Sequence, residues 1–154
     1  MPFPLSLSTG HLVRNLTYIK SLRKVINVAK RAKQPREDVW DPGELGLVLK
    51  AFGSRLSNCV MWRDARTMRR VETEGLGETG LRATAVLQLT LNHVRGGGSV
   101  YQIEEKRAEY RVQHRYWYKI LLEIDGEVKP LFVEAILHDD DPEYPVVLLV
   151  NAHF

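Results

Sequence analysis

The chain is expected to be an α+β domain, with N-terminal helices packed on one face of a four- or five-stranded antiparallel meander sheet. Three observations predict it. Apolar residues recur at three- and four-residue steps through residues 11–56, the spacing falls to two from Arg82, and turn signals separate the later runs.

From His11 to Lys33, Leu12, Leu16, Ile19, Leu22, Ile26 and Ala29 form one face of a basic amphipathic helix that Ser8 or Thr9 can cap and Pro35 stops. A second helix starts at Asp41-Pro42-Gly43-Glu44, where Asp41 suits the N-cap, Pro42 the first turn and Glu44 the third helical position. Its apolar stripe, Leu45, Val48, Leu49, Phe52 and Leu56, is read as core. Residues 59–71 fit more than one state; as a helix they would carry Arg63, Arg66 and Arg70 on one side. Residues 72–80, with three glycines and three glutamates, read as a connecting loop.

From Arg82 to Asn92, Ala83, Ala85, Leu87, Leu89 and Leu91 alternate with the residues between them, the pattern of a half-buried strand. Gly96-Gly97-Gly98 is read as the turn to a strand at Val100–Ile103. A long strand then follows from Val112 to Ile124, and Asp125-Gly126 marks a hairpin. Its partner carries Leu131, Val133, Ala135 and Leu137. The acidic turn Asp139-Asp140-Asp141-Pro142 leads to a last strand, Val146 to His153.

Composition narrows the function classes. With 44% hydrophobic and 27% charged residues, 154 residues suit one globular unit. Cys59 is the single cysteine, so a disulfide scaffold is excluded. No apolar run reaches the roughly 18 residues of a membrane span, and the first residues lack the features of a secretory signal. An intracellular protein, soluble or membrane-peripheral, is expected. The organisation expected is a basic helical arm at 1–36 and an α+β domain at 37–154, with a helical part at 41–71 and a sheet part at 82–153, forming one folded unit.

Charge is distributed unevenly. The net charge of +3 hides a segment, residues 1–36, with eight basic residues and no acid, while residues 120–154 hold Lys129 against eight acids. An acid-free basic arm suits polyanions or anionic lipid, and it could also meet the acidic end of another copy. Arg14, Lys20, Arg23, Lys24, Lys30, Arg31 and Lys33 are its candidate contacts. An arm of this composition also resembles a mitochondrial presequence in type.

On the long strand, alternation places Trp117 with Arg115 and Lys119, and Arg111 lies just before. An aromatic between cations can stack an unpaired base while neutralising phosphate. These residues and the arm support a non-enzymatic polyanion-binding protein for RNA or DNA first and an anionic membrane surface second, of a small matrix or nucleoprotein-associated type, with possible self-association. No cofactor and no metal are expected, because Cys59 lacks partners, and His138 with its following aspartates lacks a ligand spacing. Gly96 to Gly98 lacks the lysine of a phosphate loop. The enzyme alternative is a small metal-independent ribonuclease of toxin type, with His114, Arg115 and Tyr116 as its catalytic candidates.

Overall fold

The computed structural model describes residues 41–154. The basic arm and its helix at 11–33 lie outside them. Helix α1 spans Pro42–Gly53. Asp41 accepts the Glu44 backbone N–H at 3.0 Å, as the N-cap reading requires. Leu45, Val48 and Phe52 are fully buried, whereas Leu56 falls beyond the helix and is half exposed. Arg95 donates to the Phe52 and Ser54 carbonyls at 2.7 and 2.8 Å, satisfying acceptors at the helix end.

Residues 59–71 resolve into a short strand, β1 (Val60–Trp62), and a helix, α2 (Ala65–Arg70). Asp64 caps α2 by accepting from Thr67 N–H at 2.7 Å. A π-helical turn at Val71–Gly75 and a 3₁₀ turn at Gly77–Thr79 follow, so the expected loop at 72–80 is largely turned backbone.

The expected strand at 82–92 is a helix instead, α3 (Ala83–Arg95). Its buried residues Ala83, Val86, Thr90 and Val94 follow the helical period, and Leu87 and Leu91 flank them. Leu89, essential to the alternating pattern, is 37% exposed. Alternating apolar residues satisfied both periods, but thirteen residues exceed a usual strand of about 4–8. Gly96 to Gly98 therefore end a helix rather than join two strands. Their amides return to the carbonyls of Asn92, Val94 and His93.

Four more strands complete the sheet: β2 (Tyr101–Glu104), β3 (Tyr116–Leu122), β4 (Leu131–Asp139) and β5 (Val146–His153). A single helical turn, α4 (Ala108–Arg111), separates β2 from β3, so residues 112–115 are not strand as expected. The order is β1-β5-β4-β3-β2. All pairs are antiparallel except β1 with β5, which run parallel with Val60 opposite Val147. The sheet is thus mixed rather than a pure antiparallel meander.

Tyr116, Tyr118, Ile120 and Leu122 point toward α1 and α3 and join Leu131, Val133 and Ala135 in the core. Trp117, Lys119, Phe132 and Glu134 lie on the opposite face by strand alternation. Buried Tyr118 is tied to α1: its hydroxyl donates to Glu44 at 2.6 Å and accepts from Gln102 at 2.9 Å. Burial raises the carboxyl pKa of Glu44 above its ordinary value, partly opposed by the Tyr118 hydrogen bond.

Candidate functional site

The loop from Glu105 to Arg115 folds over the face opposite the helices. Glu105 N–H donates to Arg115 O at 2.8 Å, closing the loop, and the turn of α4 places Arg107 and His114 around the Glu105 carboxylate. Glu105 is 1% exposed. Such burial is tolerated only with partners. Arg107 grips both its oxygens, Nε to Oε1 and Nη2 to Oε2 at 2.8 Å each, and Nη2 also reaches Glu134 Oε2 at 2.8 Å. The Glu105 pKa is drawn down to about 2, chiefly by the Arg107 hydrogen bonds, against the opposing effect of burial.

His114 Nε2 lies 2.9 Å from Glu105 Oε2. An ionised carboxylate only accepts, so Nε2 carries a proton and donates. Its other ring nitrogen, Nδ1, is buried with no hydrogen-bond partner, the one such side-chain atom among the described residues. Tyr110 stacks on the imidazole at 6.2 Å between centroids, and the Arg107 guanidinium lies 4.8 Å from the Tyr110 ring and 5.9 Å from Trp117.

This network walls a cleft of about 170 Å³. Arg63 and Arg70 reach it from the β1–α2 edge, and Gln113 and Asn151 contribute amides. A bulge explains the position of Arg70. The β4–β5 register skips from Leu149 to Asn151, and Arg70 Nη2 donates to the carbonyl of the intervening Val150 at 2.8 Å. Three arginines line the cleft against one carboxylate, Glu134, which already accepts from Arg107.

Of the catalytic candidates named from sequence, His114 lines this cleft and Arg115 and Tyr116 do not; of the arginines named at 59–71, Arg63 and Arg70 line it and Arg66 does not. Tyr116 is buried in the core, with the Arg115 guanidinium 5.9 Å from its ring. Trp117 is half-buried, 5.9 Å from Phe132, and Lys119 lies 5.7 Å from the Tyr101 ring. Arg111 is exposed at the end of α4. Arg14, Lys20, Arg23, Lys24, Lys30, Arg31 and Lys33 lie outside the described residues.

Sequence reasoning missed Glu105, Arg107 and Glu134. Glu105 and Arg107 read as part of a solvated charged run. Glu134 carried a signal: it is the one charged residue between Leu131 and Leu137, where a strand interior needs a partner for it. Among the described residues, no helix is long and apolar enough to cross a membrane. The chain matches no family model, no curated protein and no solved structure.

Proposed function

We propose that the chain is a non-enzymatic polyanion-binding protein, for RNA or DNA first and an anionic membrane surface second, of a small matrix or nucleoprotein-associated type. The observation that carries this reading is the cleft lined by three arginines, whose single carboxylate is already bonded, beside an aromatic on the same sheet face. Guanidinium forks bind phosphate oxygens in pairs, and Trp117 offers a ring to an unpaired base. Exposed Arg66, Arg69 and Arg111 add to the positive field.

The test is a titration of single-stranded RNA into the full chain at several salt concentrations. Binding should weaken linearly on logarithmic axes, with a slope of about 0.7 per phosphate neutralised. Trp117→Ala should weaken it by about 1–3 kcal/mol, the usual worth of one stacked base. Salt-independent binding, or an unchanged affinity in Trp117→Ala and Arg111→Glu, would refute the reading. Anionic vesicles in place of RNA test the membrane alternative.

A second reading, the metal-independent ribonuclease, draws support from the His114–Glu105 pair beside arginines. RNA that stays intact on a denaturing gel sinks it. Cleavage lost in His114→Ala would carry it. Self-association through the acidic C-terminal segment predicts that reversing Asp139, Asp140 and Asp141 lowers the sedimenting mass. Intracellular placement with mitochondrial import predicts a mature N-terminus near Glu37.

A further inference from the structure

We infer that the cleft between the 105–115 loop and the β1–α2 edge binds one phosphate group, held by Arg63 and Arg70, with the His114 ring in its lining. The inference deepens the polyanion reading and rests on it for the source of the phosphate.

Arg107 is not the principal ligand, because its Nε and Nη2 are engaged by Glu105 and Glu134 and its charge is balanced by those two carboxylates. Arg63 and Arg70 are differently placed. Arg70 is fixed by its backbone bond to Val150, and Arg63 by Thr67 Oγ1 at 3.3 Å, with Asp64 only at 3.9 Å. Both line the cleft. Each guanidinium has five N–H donors, so one fixing bond leaves others for a ligand. Gln113 and Asn151 supply neutral donors on the same lining. A cation entering would meet three arginines, and an apolar ligand would leave buried donors unsatisfied. A tetrahedral oxyanion, which accepts from several directions, suits this lining better than a planar carboxylate.

The orphaned His114 nitrogen is the independent observation. Glu105 fixes the ring through Nε2, and Nδ1 is left buried without a partner at a residue lining the cleft. Such atoms are rare in folded proteins, and this one makes the ring a sensitive reporter of what enters the cleft. Because Nδ1 is shut off from the cleft's solvent, it senses a phosphate held by the arginines through the ring's position and the local field rather than through a direct bond.

The experiment is a calorimetric titration of the full chain with inorganic phosphate, then acetate, and then trinucleotides with a 5′-phosphate or a 5′-hydroxyl. Phosphate should bind saturably and acetate should not. Arg63→Gln and Arg70→Gln should each weaken phosphate about tenfold or more, as loss of a charge-assisted hydrogen bond does. Lys129→Gln should leave it unchanged. The His114 Nδ1 resonance, followed by long-range ¹H–¹⁵N correlation, should move with phosphate. Should Arg70→Gln fail to fold, the half-exposed Arg63 and the Nδ1 resonance still decide. Binding retained in both arginine variants, a static Nδ1 resonance, or equal affinity for acetate would overturn the inference. A preference for the 5′-phosphate identifies a terminal group as the source, and equal affinity identifies the internal phosphodiester. RNA binding without saturable phosphate binding overturns this site and leaves the polyanion reading intact. Phosphate binding without any oligonucleotide binding does the reverse.

Discussion

Replacing Glu105 by Gln tests whether the buried carboxylate anchors the 105–115 loop. In the folded chain its pKa falls from 4.5 to about 2. At about 1.4 kcal/mol per pH unit, that corresponds to about 3 kcal/mol of stability at neutral pH. Removing one partner of a fully buried ion pair costs about 3–5 kcal/mol, and the 45% exposure of Arg107 places this pair at the lower end. An amide cannot replace the carboxylate, since its NH₂ must face either the Arg107 fork or the His114 Nε2–H, donor against donor. Because the folded pKa is depressed, the contribution is complete above the unfolded value of 4.5 and disappears as pH falls toward about 2. Thermal unfolding followed by circular dichroism at pH 7 should place Glu105→Gln about 12 °C below wild type, taking roughly 4 °C per kcal/mol for a domain of this size. Near pH 2 the difference should largely close. A loss under about 1 kcal/mol at pH 7, or a gap that persists in acid, would refute the reasoning.

Three further outcomes are expected. Glu44 has the opposite sign: burial raises its folded pKa, so its stabilising contribution is present below pH 4.5 and is lost as pH rises through the folded value. Chemical denaturation should therefore find Glu44→Gln gaining on wild type between pH 4 and pH 7; a constant difference contradicts this. At Gly75, an added Cβ would lie 1.9 Å from the Ala152 carbonyl oxygen, so Gly75→Ala should cost about 2 kcal/mol or more. Gly46→Ala, in α1 with nothing within 4 Å, should instead stabilise by about 0.5–1 kcal/mol in the same denaturation assay.

The sequence was most informative where a local signal had one meaning. Asp41-Pro42 started α1, Asp125-Gly126 joined β3 to β4 with Gly126 at φ 86°, and Val146–His153 formed the last strand. It misled where two periods coincided, as at Ala83 to Leu91, where helix length and the position of Val86 and Thr90 decided the outcome. The strand expected from Val112 began only at Tyr116, because residues 105–115 bend to bring Arg107 and His114 to one carboxylate. That convergence depends on long-range pairing. Glu134 is twenty-seven positions from Arg107 in sequence and 2.8 Å away in the fold. Arg63, Arg66 and Arg70 were visible as a stripe, but the bulge at Val150 that anchors Arg70 was not.

The position of β5 has a kinetic consequence. It lies between β1 and β4, so among the described residues the last strand in sequence joins the first to the rest of the sheet. Until it docks, β1 has no neighbour and the edge of β4 presents unpaired amides and carbonyls. Pairing Val60 with Val147 closes a loop that contains most of the domain, which makes this step entropically expensive and slow relative to formation of the β3–β4 hairpin. Substitutions in β5 should therefore lengthen the interval in which the chain is prone to aggregate, whereas α1 variants with equal loss of stability should not.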